Sequence, residues 1–545
     1  MSIQGRRPFL HETPAVETPV AQSTSATWGI LKRVFRMIGW TVFLLICSIA
    51  CVVLFKISYP RPAHSLWAWL ALAPLIWALC YLRGFWRSFF YAWLTGTGVY
   101  AALYYWIFIT CRYGGGLSTS LSVAAWLGLS VLMAVQFAIL GGSCFFLKRL
   151  KGWFPLLAAM GWVALEWLHE MLATYALGFP WFSLAYSQWN MPQLIQLASF
   201  TGAAGISFLV SFTGISVGYG LAASRARTGI WQFVLAAVVF LSTYGYGMYA
   251  LKHLPPNSLL RLRAAVMQPN IDQYKKWTPE FEAEIENTFK QMSAGLQDKQ
   301  IMLAVWPENV TPGAAQEDPY RQWMHDTSAL HGAWQLVGSY RAEQDKQYVS
   351  AYLFDPQGMP VSFYDKRHLV PFGETIPFEK TVLRLFPNVD VLGELGLFSA
   401  GQKRPLLHIG QIAFGTTICY ESVFSHLWRE QAREGARFFV NITNDAWFFD
   451  TDAPYQHIAV SVLRAVETRR PVLRAANTGI SAVIAPSGAI MARASLGTQA
   501  VLVEDIALPL GPDMSFYVRW HNWFAWLCAV IYFTILISVI VFMCE

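Results

Sequence analysis

Residues 412–423 read IAFGTTICYESV, an apolar run that ends on Cys419 and passes at once into a helical pattern extending to about residue 434. Six further β-rich runs surround it: RAAVMQ (263–268), IMLAVWPE (301–308), WQLVGSY (334–340), AYLFDP (351–356), ARFFVNIT (436–443) and ISAVIAPSG (480–488). They alternate with helical patterns at about 279–296, 318–331, 423–434 and 454–470. Thr278 followed by Pro279, with Glu280 and Glu282 in the first turn, marks a helix start. Such alternation predicts one layered α/β domain over residues 259–510.

Outside that domain the chain is of another kind. Of 545 residues, 55% are hydrophobic and only 13% charged, too apolar for a soluble enzyme. The 15% aromatic content, with 24 tryptophans, excludes general disorder. Eight apolar stretches, at about 37–55, 64–82, 89–111, 119–147, 153–175, 199–222, 230–251 and 523–543, are each long enough to cross a bilayer, which takes roughly 20 residues. The first is followed by KISYPRP and not by a small-residue cleavage site, so it reads as a retained helix. The expected organisation is a disordered tail (1–36), a seven-helix transmembrane domain (37–251), the α/β domain and a final transmembrane helix (523–543).

Charge supports this division. Residues 1–251 hold 15 Lys/Arg against four Asp/Glu, whereas residues 252–522 hold 25 against 28. The basic half is the apolar half, which fits loops sorted by membrane topology and excludes a nucleic-acid footprint. With the N-terminus inside, the inner segments carry twelve Lys/Arg, while the outer loops carry three, Lys56, Arg61 and Arg112. Both termini are therefore expected inside and the polar domain outside. Cys419 is alone in that domain, so no disulfide forms within it. There is no CxxC pair and no zinc spacing, so neither metal nor cofactor is expected.

Three residues carry candidate chemistry. Cys419 stands at a strand-to-helix turn, where a helix N-terminus activates a thiol; a lone cysteine in a β-run is also commonly a small buried hydrophobe. Glu308 ends the strand IMLAVWPE and reads as a general base or as a surface charge. Lys366 follows PVSFYD and reads as an oxyanion cation or as a solvated lysine. Together they supply a nucleophile, a base and a cation.

Their order resembles the nitrilase superfamily, whose members carry a Glu-Lys-Cys triad in an α-β-β-α sandwich. MQPNIDQYKKW, VWPEN, YDKRHLVPFGETIP, TTICYE, NITNDAWF, APYQHIAVSVLRAVETRRPVLRAANTGIS and the loop GFPWFSLAYSQ resemble the apolipoprotein N-acyltransferase family over roughly residues 37–543. That resemblance implies Glu308 as base, Lys366 as oxyanion cation and Cys419 as nucleophile. It adds Glu374, Glu421, Tyr420 and Trp277 as supporting residues, with Glu374 or Glu421 orienting Lys366. It further implies a phospholipid donor, with phosphatidylethanolamine expected, a diacylated apolipoprotein acceptor, and the bacterial inner membrane with the catalytic domain on the periplasmic side. Phe449 stands where the family carries glycine, and His169 where it tends to carry arginine. Residues 381–398 read as a lipid-facing lid or a packed insertion. Glu166 and Glu170, near the outer end of the fifth span, read as functional groups or as caps. Two rivals remain open, a membrane-anchored nitrilase-type amide hydrolase and a non-catalytic transporter or scaffold.

Overall fold

Twelve strands of the polar region form two six-stranded sheets in the computed structural model, which describes residues 19–61, 63–175, 178–223, 226–253, 260–276, 278–385, 398–403, 405–509, 511 and 514–544. The first sheet contains β1 (Leu260–Gln268), β2 (Leu303–Val305), β3 (Trp334–Glu343), β4 (Lys346–Phe354), β5 (Pro360–Asp365) and β12 (Ala500–Leu508), in the order β12-β1-β2-β3-β4-β5. The second contains β6 (Leu407–Ile409), β7 (Ile412–Ile418), β8 (Phe439–Thr443), β9 (Val472–Ala476), β10 (Ala482–Ile484) and β11 (Ile490–Arg493), in the order β11-β10-β9-β8-β7-β6. Each has a parallel centre, β1-β2-β3 and β7-β8-β9, with antiparallel strands outside it.

The period of two sorts the side chains. Leu262, Ala264, Val266, Leu303, Val305 and Leu336 meet Phe414, Ile418, Val440, Ile442 and Leu473 between the sheets. The alternate residues Ala265, Met267, Ala304, Trp306 and Val337 pack beneath helices Glu282–Ala294 and Tyr320–His331 through Ile285, Phe289, Trp323 and Met324. Helices Ser425–Arg433 and Ala453–Thr468 cover the other sheet, completing an α-β-β-α sandwich. Their residues share a single core with the apolar N-terminal helices, so this layer is pressed between sheet and bundle.

All eight apolar stretches are helical among the described residues, with differences from the expected spans. The first helix is Pro19–Ser58, so residues 19–36 of the expected disordered tail are helical; residues 1–18 lie outside the described residues. The stretch at 64–82 is helical only over Ser65–Tyr81, short for a straight crossing. Phe85–Leu103 and Tyr105–Gly114 are bent by 56°. The stretch Thr119–Thr174 is 56 residues long, far beyond one bilayer thickness, and its helical ladder breaks at Lys151 (φ 48°, ψ −108°), dividing it into two legs. Ala203–Ala222, Ile230–Lys252 and Trp523–Met543 are each long and apolar enough to cross. Of the expected lid, residues 386–397 lie outside the described residues, as does Trp277.

Candidate active site

The parallel centres explain why the candidate residues meet, because parallel strands gather their C-terminal ends along one edge. Glu308 lies just beyond β2, Cys419 just beyond β7 and Asn444 just beyond β8. The antiparallel steps β3-β4-β5 bring β5 back to the same direction, so Lys366 leaves at that edge too. Gly338 lets the Trp306-Pro307-Glu308 segment approach β3: a Cβ on it would stand 2.5 Å from Glu308 Cα. Gly338→Ala is therefore expected to displace Glu308 and lower acyl-transfer rate by about tenfold or more while the domain stays folded, checked by rate alongside circular dichroism.

Lys366 is fully buried and its Nζ donates to Glu308 Oε1 (3.0 Å) and Glu374 Oε1 (2.6 Å). Burial opposes its charge, yet Glu308 and Glu374 together hold the ammonium well above the usual lysine range, so it stays cationic. Glu374 Oε2 accepts from the Val370 N–H (2.9 Å), and Glu308 Oε2 from the Asn444 N–H (2.9 Å), so both carboxylates are fixed by backbone. Cys419 is 8% exposed with φ +51°, a left-handed turn that costs a non-glycine residue roughly 1–2 kcal/mol. Burial pushes its thiol up, Glu308 adds to this and Lys366 opposes it. The resting sulfur is a thiol that needs a base.

Glu421 does not contact Lys366. Its carboxylate accepts from the N–H of Ile418 (2.8 Å), Arg367 (2.6 Å) and His368 (3.1 Å) and from the Tyr364 hydroxyl (3.1 Å), clamping the chain beside Lys366 to the chain beside Cys419. Of the two acids, only Glu374 orients the lysine. Glu421→Gln, which turns an acceptor oxygen into a donor against backbone N–H groups, is expected to lower stability by about 3–5 kcal/mol, read by thermal unfolding in detergent.

Tyr420 is buried and stacks on Phe179 (5.5 Å, 13°), which stacks in turn on Trp181 (5.7 Å, 5°). Both belong to the loop GFPWF. His169 Nε2 accepts from the Phe179 N–H (3.2 Å) and so holds that loop. Glu166 accepts from Trp162 Nε1 (2.8 Å), Leu184 N–H (2.9 Å) and Ser183 Oγ (3.1 Å); Glu170 accepts from the N–H (3.1 Å) and Oγ (2.6 Å) of Ser425, capping the helix that follows the nucleophile turn. Glu170 therefore anchors the bundle to the sandwich, whereas Glu166 ties its own helix to the loop before residue 185. Phe449, where the sequence resemblance leads one to expect glycine, has φ +51°, a conformation that suits glycine. Phe449→Gly is expected to relieve about 1–3 kcal/mol of strain, raising the unfolding temperature.

Sequence reading missed a buried group behind Cys419. His457 Nδ1 lies 2.9 Å from Asp445 Oδ1, and Asp445 Oδ2 accepts from Arg474 Nη2 (2.8 Å). Burial would raise the Asp445 carboxyl, but Arg474 and His457 outweigh it and hold it at about 2. A depressed carboxyl contributes stability above its unfolded value and loses it as pH falls toward 2. The available signal was polar residues inside otherwise apolar elements, Arg474 in VLRAA and His457 in the helix APYQHIAVSVL. Lys276 is also fully buried, its ammonium lowered to about 7 by burial against the opposing charge of Glu308.

Residues 263–511 match the Carbon-nitrogen hydrolase family, and residues 50–216 the Apolipoprotein N-acyltransferase N-terminal domain. The fold is thus that of a nitrilase-type enzyme carried on apolar helices. Relatives named apolipoprotein N-acyltransferase come from Geobacter metallireducens (37% identical, over 87% of this chain and 91% of the relative), Agrobacterium fabrum (33%; 84% and 85%) and Allorhizobium ampelinum (30%; 89% and 94%). The chain belongs to the apolipoprotein N-acyltransferase family and is a membrane protein with acyltransferase activity. An amide hydrolase is not favoured, because these matches extend through the helical half that soluble hydrolysis does not need.

Proposed function

We propose that the chain moves an acyl group from a phospholipid, with phosphatidylethanolamine as the donor, through a Cys419 thioester to the α-amine of the N-terminal S-diacylglyceryl-cysteine of apolipoproteins. The observation that carries the site assignment is Lys366 held between Glu308 and Glu374, in a site where Glu308 and Lys366 both act on the Cys419 thiol. Glu308 takes the thiol proton as the sulfur attacks the donor ester carbonyl. Lys366 and a backbone N–H stabilise the oxyanion. Collapse expels the lysophospholipid alkoxide, which takes the proton back from Glu308. The acceptor amine then attacks the thioester, Glu308 removes its proton, and the thiolate leaves and is reprotonated. One site serves two bulky substrates in turn, so initial rates at several fixed acceptor concentrations are expected to give parallel double-reciprocal lines; intersecting lines would mean a ternary complex.

The proposed location is the bacterial inner membrane with the sandwich on the periplasmic face. Its support is the charge bias together with Arg61, whose guanidinium donates to Asp450 Oδ1 (2.7 Å), and Lys56, which pairs with Asp452; both were placed in an outer loop and both meet the catalytic domain. A cysteine introduced within residues 83–88, at the inner end of the helix that starts at Phe85, is expected to resist an impermeant thiol reagent in intact cells, whereas one on the sandwich surface reacts. The reverse pattern would overturn the orientation.

A further inference from the structure

The nucleophile turn raises a question that the triad leaves unanswered: what fixes the peptide that follows a strained Cys419? Cys419 opens a 3-10 turn, Cys419–Val423, and Tyr420 is its second residue, a place where N–H groups lack an acceptor within the turn. The Cys419–Tyr420 peptide is trans, so its C=O and N–H point in opposite directions in one rigid plane. Whatever grips the carbonyl therefore aims the N–H.

His457 grips the carbonyl. Its Nε2 is 3.1 Å from the Cys419 oxygen and 2.8 Å from Ser422 Oγ, while its Nδ1 faces Asp445 at 2.9 Å. With a carboxylate facing Nδ1 and a carbonyl facing Nε2, an N–H to each requires the cationic ring, which Asp445 and the Cys419 carbonyl favour against burial and the Arg474 charge, both of which lower the imidazole. Asp445 is held in turn by Arg474 (2.8 Å) and Thr443 Oγ1 (3.0 Å), and Trp181 covers the ring at 4.9 Å. His457, Asp445 and Arg474 are at most 1% exposed. Such a cluster is costly to bury; it reaches the nucleophile's side chain through Thr443 and Asp445, and its contact with the nucleophile's backbone is His457 on the Cys419 carbonyl.

We infer that His457 is the positioning residue of the oxyanion site: by holding the Cys419 carbonyl it directs the Tyr420 N–H at the carbonyl oxygen under attack, opposite the Lys366 ammonium. Donation to the carbonyl also polarises the peptide, making that N–H a better donor. His457 touches neither substrate nor sulfur and acts only through this peptide. The inference rests on Cys419 being the nucleophile.

The test compares two reactions of the same sulfur in the full-length protein. Acylation by phospholipid passes through an oxyanion, whereas alkylation by iodoacetamide is a displacement at a saturated carbon and does not. His457→Ala is expected to slow acylation by at least about 10²-fold, the scale for losing one oxyanion donor, and to leave Cys419 alkylation nearly unchanged. His457→Gln, whose amide N–H can reach the same carbonyl, is expected to restore most of the acylation rate. Parallel loss of both reactions in His457→Ala would assign a merely structural role and overturn the inference, as would wild-type acylation in His457→Ala or no recovery in His457→Gln. Cys419→Ala is run alongside: turnover there would instead remove the nucleophile assignment.

Discussion

Cys419→Ala is expected to abolish acyl transfer altogether, with no detectable acyl-enzyme in the presence of phospholipid and no release of lysophospholipid. The expectation is absolute because sequential transfer needs one atom to store the acyl group between two substrates, and the sandwich contains no other thiol. Loss of the sulfur leaves the surroundings nearly intact: Glu421 still ties Ile418 to Arg367 and His368, and Lys366 stays between its two carboxylates. Folding is therefore expected to survive, which makes the variant a clean test by product analysis. Turnover above background in Cys419→Ala would sink the covalent mechanism.

Lys366→Ala is the second large effect, expected to lower acyl transfer by at least about 10²-fold. Two losses combine. The oxyanion loses its cation, and Glu308 and Glu374 are left facing each other in a buried site without the charge that both contact. Because the lysine opposes the rise that burial imposes on Glu374, its removal raises that carboxyl further, favouring the protonated form. Glu308→Gln removes the base while keeping the shape, and a loss of similar scale is expected. Rates of both variants, measured with phospholipid and a diacylated lipopeptide, check this; near-normal turnover in either would remove that residue from the mechanism.

How much of this was legible in the sequence depended on the range of the signal. The sandwich was legible because its strands are short apolar runs ended by chemistry-bearing residues: Glu308 after LAVWP, Lys366 after VSFYD and Cys419 after FGTTI. A parallel centre to each sheet then makes such strand ends converge, so order along the chain became proximity in space. β9 was not among the expected strands, because Val472–Ala476 lies in the charged stretch ETRRPVLRAANT and carries Arg474, a residue that marks a surface until its buried partner Asp445 is known. The same reason hid His457. Glu421 was recognised as a site acid, with the choice between it and Glu374 as the partner of Lys366 left open, since its own partners are the Tyr364 hydroxyl and backbone N–H groups from two segments more than 50 residues apart, to which no side-chain pattern points. Hydropathy located the eight apolar stretches but not their breaks: the bend between Leu103 and Tyr105 and the short helical piece Ser65–Tyr81 lie within continuously apolar sequence, where composition marks no boundary.

The most direct measurement is the intact mass of the purified protein incubated with phospholipid alone, followed by peptide mapping. The account predicts a gain of one acyl group, located on Cys419, with one equivalent of lysophospholipid released and the adduct discharged on adding diacylated lipopeptide. Turnover with both substrates present but no adduct in the absence of acceptor, or an acyl group located on any other residue, would contradict it.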